Sequence, residues 1–242
     1  MSIYAIGDLH LSLNKEKPMD IFGDNWIGHE EKIKDNWTKQ VKENDLILLV
    51  GDFSWKMHLE DMYEDFKYLS NLPGKKILLK GNHDYWWNTL KKMREYISIN
   101  GFSNIDFLYN NSYEYENIAI VGTRGWAFAE TDEDMKINHR EVERLKLSIN
   151  DAIKNYPEKE IICMMHYPPI NNKMISSSGN NTEKEDIKYS YINVMKEYNI
   201  KRCIYGHLHG EAQEDAFEGI YDGIEFKLVS ADYLNFKLLK LI

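Results

Sequence analysis

The sequence predicts a single α/β domain over residues 1–242, built on a mainly parallel sheet. Three observations predict it. Short apolar runs alternate with amphipathic helical patterns, five of those runs end in a cluster of Gly, Asp, Asn or His, and the tail from Glu211 to Ile242 is rich in strand formers.

The strands come first. Ile3–Ile6, Leu46–Val50, Lys76–Leu79, Ile118–Val121, Ile161–Met165 and Arg202–Tyr205 are near-continuous apolar runs of strand length, as buried parallel strands require. Between them, Glu30–Val41, Leu59–Leu72, Thr89–Ile97, Arg140–Asn155 and Asp186–Tyr198 space their apolar residues as amphipathic helices do. Pro73-Gly74 stops the second helix. In the tail, Ile224–Ser230 and Phe236–Leu241 read as strands with a turn near Asp232, expected to run antiparallel and close a second sheet. Leu11–Gly28 and Asn171–Lys184 read as loops. The latter, with Ser176-Ser177-Ser178-Gly179-Asn180-Asn181, lacks apolar anchors and is expected to be mobile.

Composition narrows the function. With 43% hydrophobic and 29% charged residues, the chain has the balance of a folded globular protein, which excludes global disorder. Its 39 acidic against 30 basic side chains give a net charge of −9, which argues against long nucleic acids and anionic membranes as partners. A small phosphorylated substrate stays compatible, because a bound metal can supply the local positive field. No apolar run reaches the ~18 residues of a membrane span. The N-terminus has no basic segment followed by a cleavage site, and Cys163 and Cys203 each lie in an apolar run as buried thiols. A cytoplasmic location is the expectation.

The chemistry sits at the strand ends. Gly7-Asp8-Leu9-His10, Gly51-Asp52, Gly81-Asn82-His83-Asp84, His166 and Gly206-His207-Leu208-His209 each follow a predicted strand. In a parallel sheet the carboxyl ends share one edge, where ligands bind. Asp8, His10, Asp52, Asn82, His166, His207 and His209 supply three oxygen ligands and four imidazoles. One metal rarely takes seven such ligands, whereas two divalent ions ~3.5–4 Å apart can if a carboxylate bridges them. The set suits manganese, iron, zinc, cobalt or nickel, with manganese the expected ion in vitro, and is too rich in imidazole for magnesium alone.

Asp-x-His, Gly-Asp, Gly-Asn-His-Asp, a lone His and Gly-His-x-His, in this order from Asp8 to His209, resemble the calcineurin-like metallophosphoesterase superfamily. The resemblance implies a four-layer α/β/β/α sandwich with two mixed β-sheets. It implies Asp8, His10 and His209 as ligands of one metal, Asn82, His166 and His207 as ligands of the other, and Asp52 as the bridge. His83 resembles the superfamily's proton donor or phosphate contact, and Asp84 its orienting partner. The aromatic-rich Phe22–Trp37 segment and Gly122-Thr123-Arg124-Gly125-Trp126 resemble a small bacterial group of predicted phosphohydrolases.

The expected function is hydrolysis of phosphate monoesters or diesters by a metal-activated hydroxide. The alternatives are a nuclease or cyclic-nucleotide phosphodiesterase of the same superfamily, or a non-catalytic scaffold with this fold. A scaffold would have lost ligands, and none is missing here. The oligomeric state is open. His29, His58 and His139 fall outside the pattern and read as exposed or partly packed. Arg124 is as consistent with a structural role as with a phosphate contact. Trp86 and Trp87 follow Asp84 closely enough to wall a cleft, although tryptophans are more often packing residues.

Overall fold

All six apolar runs form strands. The computed structural model describes residues 1–13, 17–127, 131–177 and 190–242. In chain order the strands and α-helices are β1 (Ile3–Ile6), α1 (His29–Gln40), β2 (Leu46–Leu49), α2 (Tyr63–Asn71), β3 (Lys75–Leu79), α3 (Leu90–Ile99), β4 (Ile105–Leu108), β5 (Tyr113–Tyr115), β6 (Ile118–Thr123), α4 (Asp132–Asn155), β7 (Glu160–Met165), α5 (Asn172–Ser177), α6 (Tyr191–Glu197), β8 (Arg202–Tyr205), β9 (Gly219–Tyr221), β10 (Ile224–Leu228) and β11 (Leu239–Lys240). The chain divides into two units, Met1–Phe107 with Val229–Ile242, and Leu108–Leu228.

The first unit is a five-stranded sheet of order β11-β1-β2-β3-β4 with helices packed on it. β1, β2 and β3 are mutually parallel, with Ile6 opposite Leu49 and Leu49 opposite Leu78. Every residue of β1 and β2 is buried, which is why those runs are continuous rather than alternating. Ile33 and Trp37 of α1, Phe66 and Leu69 of α2, and Met93 and Ile97 of α3 join Ile47, Leu49 and Phe107 in one core. Parallel pairing puts the carboxyl ends of β1, β2 and β3 on one edge, where Asp8, Asp52 and Asn82 follow.

The second unit is a six-stranded sheet of order β5-β6-β7-β8-β10-β9. β6, β7, β8 and β10 run parallel, and the short edge strands β5 and β9 run antiparallel. Val142, Leu145 and Ile149 of α4 and Met195 of α6 bury against Val121, Cys163, Tyr205 and Phe226. Cys163 and Cys203 face each other in register on β7 and β8 as free buried thiols, and burial pushes the Cys203 thiol up. Both sheets are therefore mixed, as the resemblance implies.

The structure corrects the reading of the tail. The two tail strands do not pair with each other. β10 lies parallel to β8 in the second sheet, and β11 lies antiparallel to β1 in the first. The intervening residues pair with Gly7 instead: Gly7 N–H donates to Val229 O at 2.7 Å, and Ala231 N–H donates to Gly7 O at 3.0 Å. The expected 171–184 loop is helical at its start, because Asn171 Oδ1 accepts from Met174 N–H at 2.8 Å and nucleates α5. Residues 178–184, and the start of the Asp186–Tyr198 helical pattern, lie outside the described residues. α4 begins at Asp132 rather than Arg140, under a capping box in which Thr131 and Asp134 satisfy each other's backbone N–H groups. Among the described residues no helix is long and apolar enough to cross a membrane.

One buried charge gives the fold a pH dependence. Lys76 of β3 is fully buried, its ammonium meets the Leu72 carbonyl, and desolvation lowers its pKa to about 7 against a weaker pull from Glu43. Between pH 7 and 10.5 the unfolded state binds more protons than the folded one, so this group's contribution to stability rises with pH through that window. Lys76→Met should be more stable than wild type by on the order of 3 kcal/mol near pH 7. Urea unfolding should show that gap closing by pH 10.5. A gap that does not change with pH would contradict the assignment.

Candidate metal centre

The first unit assembles its polar residues by extending the β1–β2 pairing past the strands. Asp8 N–H donates to Gly51 O at 2.9 Å, and His10 N–H donates to Asp52 O at 3.0 Å. To make these bonds, Asp8, His10 and Asp52 adopt left-handed backbone conformations, with φ of 59°, 46° and 50°. His207 of the second unit does the same at φ 76°. Non-glycine residues occupy this region at a cost of ~1–3 kcal/mol and cluster at functional sites. The result is a buried acidic and imidazole group. Asp8, Asp52 and His10 are 0%, 2% and 3% exposed. Asp8 places a carboxylate oxygen within 4.8 Å of a ring nitrogen of His10, and likewise of an Asp52 oxygen. His10 Nε2 lies 3.8 Å from Asp52 Oδ2.

Asp84 holds the β2 and β3 loops together. Asp52 and Gly81 donate their backbone N–H groups to its Oδ2 at 2.9 and 2.8 Å. Phe53 and Ser54 N–H and the Trp86 indole N–H donate to its Oδ1 at 2.9, 3.3 and 2.9 Å. Asp52 answers in kind, its Oδ1 accepting from His83 N–H at 2.8 Å. Gly81 is required here, since a Cβ would fall 2.0 Å from Asp52 Oδ1 and 2.2 Å from Asp52 N. The resemblance implies Asp84 as the orienting partner of His83. The bonds seen here run to the Asp52 loop, and they reach His83 through Asp52 and the backbone.

Aromatic rings surround His10 and His83. The Trp55 ring stacks on His10 with centroids 4.8 Å apart and lies 4.5 Å from that of His83, and Trp26 meets His10 edge-on at 6.0 Å. Trp55 and Trp26 stand against these imidazoles, while Trp86 is buried and donates its indole N–H to Asp84. Among six tryptophans the sequence offers no signal for Trp55, whose place depends on the bridge between Leu11 and Ser54. His29 is buried, contrary to expectation. Its Nδ1 lies 3.2 Å from Trp26 O, and burial lowers its pKa. His58 and His139 are exposed or partly so, as expected.

In the second unit, His166 follows β7, and His207 and His209 follow β8. His166 is fully buried, and its ring centroid lies 5.1 Å from that of His207. Tyr167 packs on His207 at 4.2 Å. Arg124 positions this loop through its backbone: its carbonyl accepts from His166 N–H at 3.2 Å and from Tyr167 N–H at 2.9 Å. Its side chain points to Glu141 at 3.7 Å, where Thr123 and Arg144 also bind, and lies over the Trp126 ring. Arg124 thus makes the contacts of a structural residue, one of the two roles that the sequence leaves open.

The donor set fits divalent cations. Two carboxylates held this close and this buried repel strongly unless a cation or a shared proton lies between them. Oxygen and imidazole donors together suit first-row transition metals.

The chain matches the calcineurin-like phosphoesterase family over residues 1–211. No curated protein matches it. Among solved structures, it is similar to phosphopantetheinyl hydrolase (PptH) from Mycobacterium tuberculosis, with a TM-score of 0.57 at 12% identity, covering 100% of this chain and 95% of that one. It is also similar to TT1561 of Thermus thermophilus, with a TM-score of 0.57 at 12% identity over 98% of this chain and 96% of that one. A protein of unknown function from Aquifex aeolicus gives 0.50 at 18% identity, covering 99% and 95%. At these identities the likenesses concern the fold.

Asp84→Asn would turn an amide NH2 toward backbone N–H donors that now meet a carboxylate. The first unit should lose on the order of 3 kcal/mol or more. Urea unfolding monitored by tryptophan fluorescence measures this, and wild-type stability in the variant would show that the five donors do not depend on the charge.

Proposed function

The chain belongs to the calcineurin-like phosphoesterase family, and from that premise we propose that it hydrolyses phosphate esters of small molecules. Two divalent ions would be held by Asp8, His10, Asp52, Asn82, His166, His207 and His209, with Asp52 as the shared ligand. One observation carries the reading: the buried grouping of Asp8, Asp52 and His10 on strained strand-end turns. The unbroken order of the family's motifs from Asp8 to His209 supports the rest of the ligand set. The continuous family match through residue 211 supports treating residues 1–242 as one metallophosphoesterase domain.

Divalent ions bound there supply Lewis-acid charge that lowers the pKa of water toward ~7 and offsets charge on the phosphoryl oxygens. The chain's own residues do the rest. Asp52 fixes the position of His83 by accepting its backbone N–H, and Asp84 fixes Asp52 in turn. His83 is half-buried beside Trp55 and Tyr85, and these rings restrict its imidazole. From that position His83 protonates the departing oxygen of the ester as the P–O bond breaks. The acidic chain, at net charge −9, disfavours long nucleic acids and leaves small phosphate esters as the substrate class.

His83→Ala tests the assignment. The variant should retain its metal content while losing ~10²–10⁴-fold in turnover of alkyl phosphates. The loss should be smaller for p-nitrophenyl phosphate, whose leaving group needs little protonation. Equal losses on both substrates would remove the acid role, and loss of metal would make His83 a ligand.

A further inference from the structure

Beside the imidazoles of the first unit lies a cavity of about 240 Å³, and Ser12, Lys17, Trp55, Lys56, His58 and Asp61 line it. Its charge is out of keeping with the chain: two ammonium groups, Lys17 and Lys56, meet the single lining carboxylate of Asp61, on a protein of net charge −9. Its wall is the same Trp55 ring that stacks on His10 and packs against His83. That ring is fixed at three points. Trp55 N–H donates to Leu11 O at 3.1 Å, the indole N–H donates to Met19 Sδ at 3.2 Å, and the ring stacks on His10.

The lysines are anchored by their backbones and reach the cavity on long side chains. Lys17 N–H donates to Ser12 Oγ at 3.1 Å, and Lys56 N–H donates to Ser54 Oγ at 3.2 Å. The Lys17 ammonium rests 5.0 Å from the Trp55 ring centroid. A cation–π contact at an exposed position is worth ~0.5–1 kcal/mol, little enough for a phosphate to displace. Ammonium groups bind phosphate as point charges without a fixed approach angle, which suits a group tethered through a flexible linker.

We propose that this cavity receives a second phosphate carried on the leaving-group side of the substrate, so that the substrate class is bisphosphorylated small molecules. The proposal rests on the phosphoesterase reading. One phosphate would lie with His83 while the other meets Lys17 and Lys56 across the Trp55 ring, and the two lysines would act on binding rather than on bond breaking.

The test uses the manganese-loaded 242-residue chain and non-hydrolysable probes, α,ω-alkane bisphosphonates of about two to six carbons against the matching alkyl monophosphonates. Calorimetry should show the best-fitting bisphosphonate binding at least about tenfold more tightly than its monophosphonate. In the Lys17→Met/Lys56→Met variant that ratio should fall to about one. Wild type binding both probes within about twofold, or a preference that survives in the double variant, would overturn the proposal. Hydrolysis of alkanediol bisphosphates and alkyl phosphates is measured in parallel. Absence of hydrolysis with a lysine-dependent binding preference would sink the phosphoesterase reading and leave the cavity assignment standing.

Discussion

The candidate centre depends on one reciprocal clasp between two loops. Asp84 takes the backbone N–H groups that begin the Asp52 loop, and Asp52 takes the backbone N–H of His83. Without it, four buried backbone donors would lack an acceptor, and the loops that follow the paired ends of β2 and β3 would lose the carboxylate that joins them. A carboxylate suits the task because it accepts several hydrogen bonds at once and donates none. The clasp also explains Gly81, since any side chain there would displace Asp52.

The clasp has an electrostatic consequence. It fixes Asp52 close to Asp8 and His10 in a region almost closed to solvent. Strained backbone at three candidates in one unit is tolerated because parallel pairing of β1 and β2 continues past the strands and over-determines those turns. The first unit is thus arranged around concentrated negative charge that calls for a cation. In the second unit, the Arg124 carbonyl fixes the backbone of His166, and Tyr167 packs on His207. Each unit brings its candidate ligands to the carboxyl edge of its own parallel strands, the position that open α/β sheets use for ligands.

Much of this is legible in the sequence. The runs of β1 and β8 match their strands to the residue; β1 does so because a strand buried on both faces leaves an unbroken apolar signature, and β8 because three buried residues follow its partly buried Arg202. The motifs name the candidate residues because five of them recur at strand ends in one order, whereas a single Asp or Asn there also suits a turn. What is not legible depends on tertiary contacts. β5, β9 and β11 are three, three and two residues long, too short for a period to show. The parting of β10 and β11 into different sheets depends on the pairing of Val229–Ala231 with Gly7. Asp84 is visible as a motif residue, but its partners near Asp52 lie about 30 residues away in sequence, and nothing local announces them. Trp55 is hidden for the same reason, as one tryptophan among six.

The central proposal is that the candidate ligands hold two metal ions, with Asp52 as the shared ligand. Equilibrium dialysis of wild type and Asp52→Asn against manganese, followed by elemental analysis, tests it most directly. The account predicts about two ions per chain in wild type and a clear loss from both positions in the variant, because a neutral amide bridges poorly. Saturation of wild type at a single ion, or an Asp52→Asn protein that retains both ions, would contradict it.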